Sequence, residues 1–250
     1  MKVLAVYNIK GGVGKTATSV NLAYLAAMAG KRTLLCDLDP QGSSSFYFRV
    51  RADKKHGPKR LLQGGKKLDR EIRESDYPNL HLLPSAMAYR NLDIELDHSK
   101  RSKKRLRDTL QTMEDDYDLV VIDAPPNVTL LSENIFRAAD VILVPVIPTT
   151  LAMLTYDQII TFFKQEGLKA QKLRAFFSMV ERRKKLHQDT IAEAREKDDK
   201  FLEPMVPMAA QVEKMGVHRE PLLAFDGRSP AAKAYHELWA DAERLLWDVA

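Results

Sequence analysis

At 250 residues, 45% hydrophobic and 29% charged, the chain can bury a core of its own, and this composition excludes a disordered polymer. No apolar run approaches the roughly 20 residues that span a bilayer, and the lone cysteine, Cys36, excludes an internal disulfide framework and suits a reducing cytoplasm. A net charge of +5 leans toward polyanionic partners without proving one.

In chain order, Val3 to Tyr7 is a short apolar run of the kind that parallel sheets bury on both faces. Residues from Met1 to Ile9 already read as strand, so no signal peptide is expected. A Gly-rich turn follows, then an Ala- and Leu-rich helix from Thr18 to Ala29, stopped by Gly30. Thr33 to Asp37 is a second strand, ended at Asp39-Pro40. Residues 49–76 carry Arg49, Arg51, Lys54, Lys55, Lys59 and Arg60 among glycine breaks and read as a surface loop with a short helix. Leu80–Leu83, Leu119–Ile122, Val141–Val146 and Leu173–Met179 are further strands, with turns at Pro145 and Pro148. Helices are expected around Leu151–Gln165 and Pro230–Trp247. This alternation predicts a single α/β domain over residues 1–250, a doubly wound, mainly parallel sheet flanked by helices. Right-handed crossovers then gather the loops after the strands at one sheet edge, where ligands bind.

The loop Lys10-Gly11-Gly12-Val13-Gly14-Lys15-Thr16 follows the first strand. A triphosphate needs converging backbone N–H groups, and glycines let the backbone turn tightly with no Cβ in the way. Lys15 supplies a cation for the β and γ phosphates, the Thr16 hydroxyl suits Mg²⁺, and the following helix offers its N-terminal dipole. The chain is therefore expected to bind ATP and Mg²⁺. Ile9 stands where the general P-loop pattern has its first glycine. A carboxylate at a strand's C-terminal edge, where Asp39 and Asp123 stand, can orient water for in-line attack, although such aspartates also serve as plain helix caps.

Lys10 and these aspartate segments resemble the ParA/MinD family of deviant Walker-A P-loop ATPases. The likeness is carried by the loop itself, by Cys36-Asp37-Leu38-Asp39-Pro40-Gln41-Gly42, and by Tyr117 through Pro126. The resemblance implies that Lys10 reaches the partner's phosphates across a nucleotide-sandwiched homodimer. It implies that Asp39 positions the attacking water, so that Lys10, Lys15 and Asp39 are the catalytic set. Thr16, Asp37 and Asp123 would belong to the metal shell, and Pro207 would lie near the adenine. Ala17 departs from the commoner threonine, which removes a hydroxyl from the α-phosphate.

Among relatives, one cysteine cannot bridge an iron–sulfur cluster, and Cys36 in an apolar strand suits no amidotransfer nucleophile. The C-terminal helix carries an apolar stripe of Tyr235, Leu238, Trp239, Ala242 and Leu245-Leu246 but a mostly acidic opposite face. It is expected to dock on the core rather than on an anionic membrane. The ParA branch, in a short Soj-like form with no room for a helix-turn-helix domain, remains. It implies an ATP-dependent dimer that binds nucleoid DNA non-specifically and answers to a ParB-like or other cargo adaptor. A MinD-type membrane-surface ATPase and an ATP-dependent synthetase of the same fold are the alternatives. Basic runs at 100–107 and 182–185 are solvated helix faces or phosphate contacts. By the resemblance, Lys184, Arg195, Lys214 and Arg219 are the candidate DNA contacts.

Overall fold

The computed structural model describes residues 1–53 and 57–248. Lys54 and Lys55, placed by sequence in the basic loop, lie outside the described residues. Among those described, eight strands form one sheet: β1 (Lys2–Val6), β2 (Thr33–Asp37), β3 (Arg73–Glu74), β4 (Leu80–Leu83), β5 (Leu119–Asp123), β6 (Val141–Val146), β7 (Leu173–Val180) and β8 (Phe201–Pro207). Their order is β3-β4-β2-β5-β1-β6-β7-β8, and every pairing is parallel except that of β3 with β4. The helices are α1 (Lys15–Met28), α2 (Ser43–Tyr47), α3 (Pro58–Gln63), α4 (Gly65–Asp69), α5 (Leu92–Asp97), α6 (Arg105–Gln111), α7 (Leu130–Ala138) and α8 (Thr150–Gln165). They continue with α9 (Lys185–Lys197), α10 (Ala210–Glu213), α11 (Met215–His218), α12 (Leu222–Phe225) and α13 (Pro230–Trp247).

The apolar strand runs are uninterrupted because the sheet has a core on each face. Val3 and Ala5, Leu34 and Cys36, Val120 and Ile122, and Ile142 and Val144 enter one core, covered by helices that include α5 to α8. Their neighbours Leu4, Leu35, Leu119, Val121, Val141 and Leu143 enter the other, covered by α1 and α13. The period-2 geometry of a strand divides each run between the two cores. Tyr235, Leu238, Trp239, Ala242 and Leu246 of α13 are buried in that second core, and Leu245 packs against it. The stripe is thus spent on the fold, each large side chain contributing roughly 1.5–3 kcal/mol. Ser229 caps α13 by accepting the Ala232 N–H, with Pro230 in the first turn, where its missing N–H costs nothing.

Four sequence expectations change. Helix α1 starts at Lys15, not Thr18, because Gly14 supplies a left-handed N-cap. Residues 49–76 are more than a surface loop: Leu61, Leu62 and Leu68 of α3 and α4 are buried in the core. Pro145 is no turn but part of β6. It sits beyond the ladder to β1, which ends at Val6↔Leu143, so its missing N–H breaks no bond on that side. Strand β8 escaped detection because Pro204 and Pro207 break the usual pattern, and such residues are accommodated in an edge strand.

Candidate active site

The first loop is built around Asn8. Its buried amide donates to the Pro145 carbonyl at 2.8 Å and accepts the Lys10 N–H at 2.9 Å, which ties the loop to the end of β6. Gly12 and Gly14 have φ of +71° and +92°, where a side chain would be strained. A Cβ on Gly14 would also come within 2.8 Å of the Ser178 hydroxyl oxygen. Lys15 is buried and its ammonium crosses the loop to the Lys10 carbonyl at 2.8 Å. Burial lowers its pKa, while Asp123 and Asp39 pull it the other way. Lys10 points elsewhere: its ammonium donates to the Leu151 carbonyl at the start of α8, 2.9 Å away on the exposed side.

A cavity of about 450 Å³ opens above this loop. Gly11, Gly12, Gly14, Lys15, Thr16, Ala17, Asp39 and Pro207 all line it, so the fold brings residues about 190 positions apart in sequence to one place. Val13 is buried and Lys10 is absent from the lining. Sequence reasoning missed Ser178, Tyr47 and Met208 in the wall. It assigned Tyr235 to the core, and that ring is both buried and part of the wall. Ser178 sits in the apolar run read as a strand over Leu173–Met179, where its hydroxyl is indistinguishable from a structural serine without the strand pairing.

Behind the loop, Asp37 and Asp123 close β2 and β5 as directly paired residues. Both are fully buried. Burial raises both carboxyl pKa values first, and repulsion adds to it, from Asp123 on Asp37 and from Asp39 on Asp123. Asp37 Oδ2 accepts both the N–H and the hydroxyl of Ser45, at 2.8 and 2.7 Å. Asp37 Oδ1 is buried with no hydrogen-bond partner. Asp123 accepts the Ser44 hydroxyl at 2.8 Å and is hydrogen-bonded by Thr16. A buried carboxyl pair with one orphan oxygen, one member hydrogen-bonded by a threonine hydroxyl, fits a hard divalent cation that would favour its ionised form. No group of three or more His, Cys, Asp or Glu residues able to hold a metal occurs among the described residues. Water and phosphate oxygens must complete such a shell, as Mg²⁺ favours. Asp39 reaches the cavity itself, its carboxylate taking the Gln41 N–H of its own loop at 2.9 Å.

The family model of an AAA domain (AAA_31) matches residues 1–174. The sporulation initiation inhibitor protein Soj of Bacillus subtilis is 30% identical over 243 residues, covering 95% of this chain and 96% of Soj. The chain belongs to the ParA/Soj family of P-loop ATPases. The chromosome partitioning protein ParA of Caulobacter vibrioides is likewise 30% identical, over 95% of this chain and 92% of its own. Among solved structures, cobyrinic acid a,c-diamide synthase from Mycobacterium smegmatis, with bound ADP and magnesium, superposes with a TM-score of 0.82. That likeness is at 25% identity and covers 100% of this chain and 96% of the other.

The basic candidates of this ParA/Soj family member separate into two kinds. Lys184 sits in the exposed turn after β7, paired with Glu181 at 3.2 Å, and Lys214 is exposed after β8. Arg219 lies over the Phe46 ring, 4.5 Å from its centroid, and donates to the Phe46 carbonyl. Arg195 is spent on structure: it donates to the Leu202 and Glu203 carbonyls and pairs with the Glu203 carboxylate. Those partners lie at the start of β8, on the order of 15 Å along the strand from its end at Pro207. The 100–107 run is also partly spent. Lys103 pairs with Glu133 and Glu166, Arg101 with Asp108, and Arg105 donates to the Leu62 carbonyl. Cys36 is buried in β2 with its thiol pushed up by burial, which disqualifies it as a nucleophile.

Proposed function

We propose that this chain is a partition or positioning ATPase that binds ATP with Mg²⁺, closes as a homodimer on nucleoid DNA, and opens on hydrolysis. The observation that carries the reading is that the glycine loop from Gly11 to Thr16 and Asp39 line one cavity, while the paired Asp37 and Asp123, which do not line it, lie buried behind that loop with Asp123 hydrogen-bonded by Thr16. Full-length likeness to Soj and to a chromosome partitioning ParA supports the partition role.

In this reading the glycine loop and Lys15 hold the phosphates. Thr16, Asp37 and Asp123 hold the cation, directly or through water, and Pro207 lies beside the base. Mg²⁺, when bound, neutralises charge on the phosphate oxygens. Asp39, on a loop at the cavity wall, orients water for in-line attack. The Lys10 ammonium reaches the surface, where it has the Leu151 carbonyl to exchange for a partner's phosphate. That trans contact would make dimer closure a condition of turnover. Lys184, Lys214 and Arg219 supply phosphate contacts to double-stranded DNA, while Arg195 is assigned to holding α9 on β8. The dimer answers to a cargo-bound adaptor, ParB-like where the cargo is a plasmid or chromosome, with a carboxysome or chemotaxis array as the protein counterpart.

A synthetase reading has the likeness to the Mycobacterium smegmatis enzyme in its favour. A membrane-surface reading is disfavoured because the apolar face of α13 is already buried. The deciding experiment is ATP turnover with Mg²⁺, with and without DNA. Slow turnover without any small acceptor, and salt-sensitive DNA binding that needs ATP, is the expected result. ATP-dependent binding to anionic vesicles but not to DNA, or a strict need for an acceptor, overturns the reading.

A further inference from the structure

The β2–β4 ladder ends at Cys36↔Leu83, and Pro84 has no N–H with which to extend it. The loop that carries Asp39 begins where that backbone pairing stops. A chain of serine contacts takes over. The Ser45 hydroxyl, which donates to Asp37 Oδ2, accepts the Ser85 N–H at 2.9 Å. The Ser85 hydroxyl in turn donates to the Asp39 carbonyl, which also takes the Gly42 N–H at 2.9 Å. The hydrogen bond to the Asp39 carboxylate, by contrast, comes from Gln41 within the same loop.

We propose that Ser85 is a positioning residue that sets the Asp39 loop and, through Ser45, couples it to the metal-shell carboxylate Asp37. The assignment rests on the reading of Asp39 as the water-orienting group. A shift of Asp37 changes the direction of the Ser45 hydroxyl, and Ser85 carries that change to the backbone of Asp39. Ser85 does not line the nucleotide cavity, so its effect falls on turnover and not on binding. A misplacement of about 1 Å at a catalytic group costs on the order of 100-fold in rate.

The test compares Ser85→Ala, Ser85→Thr and Asp39→Ala in steady-state ATP hydrolysis and in binding of a fluorescent ATP analogue with Mg²⁺. Ser85→Ala is expected to lower kcat by at least about tenfold, with KM and analogue affinity within about twofold of wild type. Ser85→Thr keeps the hydroxyl, and a neighbouring cavity of about 620 Å³ bordered by Ser85 has room for the added methyl. Its kcat should return to within about threefold of wild type. Should Ser85→Ala fail to fold, Ser85→Cys keeps the volume while bonding weakly and carries the same expectation. Wild-type kcat in the hydroxyl-less variant, beside an inactive Asp39→Ala, overturns the role of Ser85 alone. So does a threonine variant as slow as the alanine one. Normal turnover in Asp39→Ala overturns the underlying reading, and the Ser85 assignment falls with it.

Discussion

Asp37 and Asp123 lie 86 positions apart in the chain yet stand directly opposite each other across the β2–β5 ladder, both fully buried. Two carboxylates in this arrangement cannot both ionise cheaply, and burial pushes both pKa values upward.

That pair makes the nucleotide-free protein unusual in its response to pH. A carboxyl whose native pKa is raised holds its proton longer folded than unfolded, so its contribution is full below the unfolded value and is lost as pH rises. Stability should fall as pH increases from about 4, the ordinary carboxylate value, through the raised native values. Asp37→Asn removes one charge of the pair and should raise stability at pH 8 by about 1–3 kcal/mol, with little change at pH 4. Thermal melting at both pH values in a chelator-containing buffer checks this. An equal effect at both pH values would contradict it.

Lys10 is held by a carbonyl on the exposed side, unlike Lys15, which is buried. Lys10→Ala should leave nucleotide affinity within about threefold but lower turnover by roughly 10³-fold, as removal of a trans cation does in related phosphoryl transfer. Sedimentation with ATP should show fewer dimers. Normal turnover would sink the trans role.

The Asp39 carboxylate lines the cavity and takes its hydrogen bond from Gln41 of its own loop, not from the buried pair. Asp39→Ala is therefore expected to keep ATP binding while slowing hydrolysis by about 10²–10⁴-fold. The ATP-bound dimer should persist on DNA, seen as a slow off-rate after dilution. Rapid release would argue that another group orients the water.

The basic residues should divide as the structure divides them. Lys184→Ala and Lys214→Ala should each weaken ATP-dependent DNA binding and reduce the salt slope by about 0.9 for each phosphate no longer neutralised. Arg195→Ala should instead lower stability by about 1–3 kcal/mol, because the Leu202 and Glu203 carbonyls lose their donor. Filter binding at several salt concentrations, paired with denaturant melts, separates the two effects. A DNA defect in Arg195→Ala with unchanged stability would reverse the assignment.

Much of the candidate site was legible because a glycine loop is a local feature. Gly12, Gly14, Lys15 and Thr16 are near neighbours in the chain, and the left-handed φ of the glycines follows from the short turn between β1 and α1. The strands β1, β2, β5, β6 and β7 were equally readable, since burial on both faces leaves apolar runs with sharp ends. Residue type and spacing along the chain determined these features. What the sequence left open depends on which strand lies beside which, and the cost of long-range pairing leaves no local trace. The register places Asp37 against Asp123 and Ser85 against the Asp39 loop. Packing sends Lys10 to Leu151, brings Ser178 against Gly14, and spends Arg195 on the start of β8. Residue types pointed to a candidate chemistry, and only the tertiary structure decided which of them share a cavity and which charges are spent on the fold.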